Sequence, residues 1–200
     1  MIKSIKSYLI KILLLLRGAK IGKNFQCYEM PNIESKNFFI SLYIEDDVFI
    51  RNNVELYFRL GGQIQIEKKV KIDSGSRLLV SNNSTLKIMS ETKIGKNTII
   101  NAGANIVIGK KCLISANCIL QCSSHNYNEN RNIQDLGYLH ADIHIEEDCW
   151  IGANSIVLKG VIMKKGSILS ALSKLQDNTD PFYIYAGNPA KKIKRRFDEF

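Results

Sequence analysis

The chain has three histidines, and their settings differ. His125 follows Ser123 and Ser124 at the head of a polar stretch, residues 123–142, that holds Asn126, Asn128, Asn130, Asn132, Asp135 and Gly137. An imidazole at that point can take a proton from a hydroxyl or an amine, because its unperturbed pKa is roughly 6.5. His140 lies in the same stretch and carries no comparable signal. His144 stands between Ile143 and Ile145, so strand alternation turns it outward. His140 and His144 are spaced His-x3-His across a loop and a strand edge, a poor frame for the three fixed protein ligands of a catalytic zinc. Two other groups have chemical reach. Trp150 is a large ring able to wall a pocket or a subunit contact. Lys191, Lys192, Lys194, Arg195 and Arg196 form a basic run that can meet phosphates or simply face solvent.

A period of six must position these groups. One slot is filled by Ile44, Ile50 and Leu56, by Ile66, Ile72 and Leu78, and by Ile88, Ile94 and Ile100. It continues through Ile108, Ile114 and Leu120 and, after a break, through Ile145, Ile151, Val157, Met163, Leu169 and Leu175. Four residues after most slots comes a small residue: Val48, Val54, Val70, Ser76, Thr92, Thr98, Ala104, Cys112, Cys118, Cys149, Ser155 and Ser167. Leu60 and Asn82 fit less well. Six is neither the helical period nor strand alternation; it is the hexapeptide repeat of a parallel β-helix. Each hexad gives a short strand and a corner, and three hexads close one coil. The aliphatic residue points inward and stacks on its copy about 4.8 Å away. The small residue faces inward near the corner, where bulk would collide with its stacked neighbours. Breaks in phase fall between triplets of hexads, where a coil can loop residues out. The largest break extrudes residues 123–142, and a loop of that length in a compact domain is functional or disordered.

Ile94-Gly95-Lys96-Asn97-Thr98 and Ile108-Gly109-Lys110-Lys111-Cys112 are the clearest hexads, with Gly expected where the corner needs an unusual backbone angle. Residues 21–43 read as irregular first turns: Ile21-Gly22-Lys23-Asn24 looks like a hexad start, while Glu29 to Phe39 fits poorly. Before them, Ile2, Ile5, Leu9, Ile12, Leu13 and Leu16 recur at helical spacing, with Gly18 as the stop. Lys11 interrupts that run and no small-residue cleavage site follows, so it does not read as a signal peptide. It is also too short and too charged to span a bilayer. Two roles fit it. It caps the open end of the coil, where strand edges need cover, or it lies on an anionic membrane surface as a basic amphipathic helix. The expected organisation is a helix over 1–20, a β-helix over 21–180 with its loop, and a tail over 181–200, extended to Pro189 and basic from Ala190.

With 200 residues, 45% of them hydrophobic, the chain buries a real core as one domain. Its net charge of +9 favours anionic partners such as nucleotide cofactors and membrane surfaces. No nucleic-acid-binding motif is present, and basic residues are dispersed except at the two ends. The five cysteines (Cys27, Cys112, Cys118, Cys122 and Cys149) include no CxxC pair, and several fill small-residue slots, as in a reduced cytoplasmic protein.

Trp150-Ile151-Gly152-Ala153-Asn154, Gly160-Val161 and Ala186-Gly187-Asn188-Pro189-Ala190 resemble the hexapeptide-repeat acetyltransferases. The nearest branch holds the maltose, galactoside and xenobiotic O-acetyltransferases and the enzymes that acetylate bacterial surface polysaccharides. The resemblance covers about residues 88–196, and the repeats extend it to Ile44. It implies an all-β fold, a single-stranded left-handed parallel β-helix, assembled as a homotrimer. Acetyl-CoA would lie as co-substrate, with no metal, in the groove between neighbouring subunits. His125 would be the general base, Trp150 a wall of the site, and the Ala153 amide the donor to the thioester carbonyl. Ala171 would flank the cofactor, and Lys191, Lys194 and Arg195 would lie near its phosphates. Asn101 would orient the acceptor, joined by Ser124, Asn126 and Tyr127 around His125. Two departures stand out. Gln176-Asp177-Asn178 replaces a common Thr-Lys-Asp, and Asn126 replaces an acidic residue often found after the loop histidine, which leaves the group that orients His125 open.

The function expected from this resemblance is O-acetylation of a sugar hydroxyl in surface polysaccharide biosynthesis, in the cytoplasm. A peripheral place at the inner membrane face would follow if the helix binds lipid. The alternatives are a small soluble acceptor (a free sugar, an amino sugar or serine) and a non-catalytic β-solenoid scaffold. A zinc hydro-lyase built on the same coil fits poorly, because such enzymes space two ligands as His-x4-His.

Overall fold

The computed structural model describes residues 2–198, with side chains from residue 5 onward. Met1, Glu199, Phe200 and the side chains of Ile2, Lys3 and Ser4 lie outside it, so those parts of the expected helix and tail are not described. Short strands wind into a parallel β-helix of seven coils with three flat faces. Face A has seven strands, from Lys20–Ile21 to Ile162–Met163. Face B has nine, from Gln26–Cys27 to Ala190–Arg195, and face C has seven, from Asn32–Ser35 to Lys174–Leu175.

The register follows the sixes. On face A, Ile44, Ile66, Ile88, Ile108, Ile145 and Met163 are successive partners. On face B the column is Ile50, Ile72, Ile94, Ile114, Ile151 and Leu169. On face C it is Leu56, Leu78, Ile100, Leu120, Val157 and Leu175. All are buried. Each such side chain contributes roughly 1.5–3 kcal/mol by leaving water, so the three columns supply most of the stabilisation. The small residues form two further columns at the corners, and their polar members are satisfied. Ser76 Oγ donates to Gly95 O (3.0 Å), Thr92 Oγ1 to Gly109 O (2.7 Å) and Ser155 Oγ to Ser170 O (2.9 Å). Leu60 and Asn82 fit the pattern poorly because they belong to the corner between faces C and A, where residues loop out and the small column is not needed.

Two expectations are corrected. The first turns are regular: Ile21 pairs with Ile44, Cys27 with Ile50 and Ile33 with Leu56, so residues 20–35 are a full first coil. The hexad glycines do not supply the unusual angle. That angle falls two residues later, at Asn97 (φ 56°), Lys111 (φ 56°) and Asn154 (φ 58°). Gly95, Gly109 and Gly152 are instead needed for close approach. A Cβ on Gly109 would lie 2.5 Å from the Glu146 carbonyl carbon of the next coil, and one on Gly152 would lie 2.4 Å from Ala171 N.

The helix, Ile2–Leu16, ends as Gly18 turns to φ 85°. The Ala19 N–H donates to Leu14 O (3.1 Å) and the Gly18 N–H to Leu15 O (2.9 Å), the paired bonds of a glycine-terminated helix. Ser7, Ile10 and Leu14 are buried on the first coil. Ser7 Oγ donates to Cys27 O and accepts from Cys27 N–H, both at 3.0 Å, closing backbone groups at the edge of face B. The helix therefore caps the coil. At the other end the tail is extended, as expected before Pro189, and its basic part is a strand as well. Tyr183–Gly187 adds to face B beside Ile168–Leu169 and turns back antiparallel into Ala190–Arg195.

Two outcomes follow. Gly109→Ala forces backbone apart and should cost about 1–3 kcal/mol in urea unfolding. Gly137→Ala, with open space around its Cβ but φ 70°, should cost about 1 kcal/mol. Glu146 ties two coils by accepting from Lys164 Nζ (2.9 Å) and the Lys165 N–H (2.8 Å). The Lys164 ammonium, aided by that N–H, holds its carboxyl below the usual carboxylate range. Its contribution is therefore complete above the unfolded value, roughly 4.3, and is lost as pH falls through the lower folded value. Thermal melts from pH 6 to 3 should show a smaller pH-dependent loss for Glu146→Gln than for the parent.

Candidate active site

The extruded segment is an ordered arm at the corner between faces C and A. Ser123–His125 runs antiparallel to Tyr138–His140, with Ser123 opposite His140, Ser124 opposite Leu139 and His125 opposite Tyr138. Directly opposed residues share a face. Ser123, His125, Tyr138 and His140 therefore lie on one side of the arm, and Ser124 and Leu139 on the other. The His125 and Tyr138 rings sit 4.4 Å apart, and Tyr138 and His140 6.0 Å apart. The tip turns through Asn126, whose side chain accepts from the Asn128 N–H (3.1 Å), and through a short 3-10 turn at Ile133–Asp135.

The two imidazoles are held differently. His140 Nδ1 lies 3.1 Å from Ser123 Oγ, and its Nε2 lies 3.4 Å from Asn82 Nδ2. An amide nitrogen only donates, so Nε2 accepts and Nδ1–H donates to the serine. Both ring nitrogens of His140 are engaged. His125 is exposed, and its ring makes no hydrogen bond among the described residues. Of the two, His125 has the nitrogen available to receive a proton.

Beside the arm, face C carries an open cleft of about 850 Å³. Its floor is one outward row, Tyr57, Leu79, Asn101 and Gln121, register partners in successive coils. Asn101 Nδ2 donates to Gln121 Oε1 (2.7 Å), and Gln121 Nε2 donates to Ser123 O (3.2 Å), linking floor to arm. Tyr138 and His140 close one end; Arg59 and Arg77 flank the other, over the Tyr57 ring. Both arginines are already paired, Arg59 with Glu34 at 2.6 Å and Arg77 with Glu55. An aromatic ring, a leucine and two amides suit a sugar ring, whose apolar faces stack and whose hydroxyls hydrogen-bond.

Trp150 is elsewhere, on face B, 47% exposed, with Nε1 donating to Ser115 Oγ (3.0 Å). An outward row runs from it through Ile168 and Ile184 to Lys194, three strand spacings or about 14 Å in all. It is an apolar path with a cationic end. At the neighbouring corner the Ala153 carbonyl accepts from the Leu172 N–H (2.9 Å). The N–H groups of Ala153 and Ala171 take no part in backbone pairing among the described residues. Lys191 and Arg195 are exposed on the last strand, while Lys192 pairs with Asp180 (2.6 Å) and Arg196 with Asp148 (2.7 Å).

The structure thus separates the expected site residues into two groups. His125 and Asn101 lie on or beside the arm and cleft. Trp150, Ala153, Ala171, Lys191, Lys194 and Arg195 lie on face B and its corner. Ser124 points to the opposite side of the arm from His125, Asn126 is used in the tip turn, and Tyr127 is 69% exposed there. His144 is exposed between buried Ile143 and Ile145, as alternation predicted. His140, Ser123 and Asn82 were not legible as a cluster, because pairing across the arm joins residues seventeen and more positions apart.

Comparison with known proteins agrees with the architecture. The family model described as hexapeptide repeat of succinyl-transferase matches residues 91–122 and 142–171. A probable macrolide acetyltransferase of Lysinibacillus sphaericus is 43% identical over 58 residues, 29% of this chain and 32% of that protein. The chain thus spans about a third of the length of the first curated relatives it matches. Among solved structures, the N-acyltransferase AntD from Bacillus cereus, in complex with dTDP-4-amino-4,6-dideoxyglucose and coenzyme A, superposes with a TM-score of 0.63 at 20% identity. That alignment covers 96% of this chain and 90% of AntD. The polysialic acid O-acetyltransferase OatWY superposes at 0.60 with 17% identity, over 88% and 89% of the two chains. The chain is a left-handed β-helix of hexapeptide repeats, the fold these solved structures share with it.

Gly103 offers a probe of the arm. A Cβ there would lie 2.4 Å from Ser123 Oγ and 2.8 Å from His140 Nδ1, both movable side-chain atoms. Gly103→Ala should leave the melting temperature nearly unchanged while shifting the NMR signals of the His140 ring and not those of His144.

Proposed function

We propose that the protein is an acetyl-CoA-dependent O-acetyltransferase acting on a sugar hydroxyl of a surface polysaccharide or its precursor. His125 is the general base, and a neighbouring copy in a homotrimer completes the site. The observation that carries this reading is the division of the site. The arm with its proton-accepting imidazole stands at one corner of the coil, and the tryptophan row with its cationic end lies on face B. One chain therefore presents two half-sites, and a three-fold arrangement brings the arm of one copy against the row of the next.

In that arrangement the acceptor sugar occupies the cleft over Tyr57, with Asn101 and Gln121 holding its hydroxyls. His125 removes the hydroxyl proton as the oxygen attacks the thioester carbonyl carbon. The Ala153 N–H donates to the oxyanion that forms, and Ala171 lines the same corner. Collapse expels the thiolate of coenzyme A, which takes the proton back from His125. The pantetheine arm lies along Trp150 and Ile168, and Lys191, Lys194 and Arg195 face the phosphates. AntD, crystallised with coenzyme A, supports an acyl-CoA donor, and OatWY, a polysialic acid O-acetyltransferase, supports a polysaccharide hydroxyl as acceptor. AntD, crystallised with a nucleotide-linked amino sugar, favours a second reading in which a small amino sugar is the acceptor. A cytoplasmic location suits the five cysteines, all of which are buried free thiols.

Coenzyme A release across a panel of sugars, oligosaccharides and nucleotide amino sugars tests the proposal. His125→Ala should lose about 10²–10⁴-fold in kcat with acetyl-CoA binding retained. His144→Ala should stay near the parent. His140→Ala should lose less than His125→Ala, because its nitrogens position Ser123 and the arm. If His140→Ala is the more damaged variant, the base is misassigned.

A further inference from the structure

We infer that the N-terminal helix docks the protein on an anionic lipid bilayer, lying in the interfacial plane with the coil standing off behind it. Capping explains only one side of this helix. Ser7, Ile10 and Leu14 face the first coil. The other side is equally apolar and faces water: Ile5, Leu9 and Leu16 are 56%, 55% and 64% exposed, and Tyr8, Leu13 and Leu15 are exposed with them. At 3.6 residues per turn these six cover an arc of roughly 160°. Lys6 borders that arc on one side, where its stem can rest on hydrocarbon while its ammonium meets headgroups. Lys11 borders the other side, with its ammonium donating to Gly22 O of the first coil.

Charge decides the occupant. Residues 1–20 hold Lys3, Lys6, Lys11, Arg17 and Lys20 and not one Asp or Glu. A second copy packed on this face would set lysine borders against lysine borders, whereas an anionic surface complements them. Beside the end of the helix, Phe38 and Phe39 are 64% and 70% exposed, and Arg17 Nε donates to Phe38 O (3.1 Å). Two more apolar side chains and a further cation thus extend the same end of the molecule. The fifteen-residue helix is about 22 Å long, short of a hydrocarbon core of about 30 Å, so it lies on the bilayer and does not cross it.

The full-length protein should co-sediment with vesicles of phosphatidylcholine and phosphatidylglycerol at least tenfold more tightly than with pure phosphatidylcholine. Raised salt should weaken that binding. Leu9→Glu/Leu13→Glu, both on the exposed side, should keep the parent melting temperature and lose binding by at least tenfold. Leu14→Ala, on the capping side, should lower the melting temperature and bind as the parent does. Equal binding to both vesicle types overturns the inference, and so does parental binding by the double glutamate variant. A smaller assembly of that variant by light scattering, with vesicle binding absent in the parent, assigns the face to a second copy and also overturns it.

Discussion

The stacking of inward aliphatic side chains at the spacing of paired strands is the constraint on which the rest of the molecule depends. Each coil lies one strand spacing from the next, so every inward position must suit its copies above and below. Ile, Leu and Val fill the flat faces. At the corners small side chains fill the interior: Val70, Thr92, Cys112, Cys149 and Ser167 form one column, each buried. Where even a Cβ would strike the next coil, as at Gly109 and Gly152, there is no side chain. Hydroxyls in these columns are tolerated because Ser76, Thr92, Thr98 and Ser155 reach a carbonyl of the next coil and Ser167 reaches Lys164 O of its own.

The same constraint decides where chemistry can sit. A flat face offers only its outward rows, and a departure from the coil has room only at the looped-out corner between faces C and A. The arm leaves there, between the coil that ends at Gln121 and the one that starts at Ile143. Its two strands pair with each other, which brings Ser123 and His140 together and leaves the exposed His125 ring against Tyr138. The tryptophan row is fixed by a different face. A rigid coil cannot bend these two elements toward each other, so assembly, and not folding of one chain, is what unites them in the proposed site.

Much of this was legible in the sequence because the fold is nearly one-dimensional. Sixes from Ile44 to Leu175 gave the strands, the inward columns and the position of the extrusion, each of which rests on local spacing alone. The first coil was missed because Cys27 stands where an aliphatic residue was expected, and because Asn32 and Glu34 flank Ile33 in a strand whose outward positions are polar. The hexad glycines were assigned the wrong physical reason, since close approach between coils cannot be seen from one hexad. In the site, His125 was visible from its place at the root of the loop. The engagement of His140 by Ser123 and Asn82 was not, because it depends on a strand pairing inside a segment that read as polar loop. Asn126 looked available for an acceptor, yet its side chain closes the turn at the arm's tip.

The account's central claim is that one copy's His125 works with another copy's Trp150. Subunit complementation tests this most directly: His125→Ala and Trp150→Ala proteins are prepared separately, then dissociated together and reassembled in equal amounts. In random mixed trimers about a quarter of the sites should pair an intact His125 with an intact Trp150 across a head-to-tail interface. Acetyl transfer should therefore rise to about a quarter of the parent rate, from two proteins that are each nearly inactive. Activity that never exceeds the average of the two variants would place both residues' work within one chain and contradict the account.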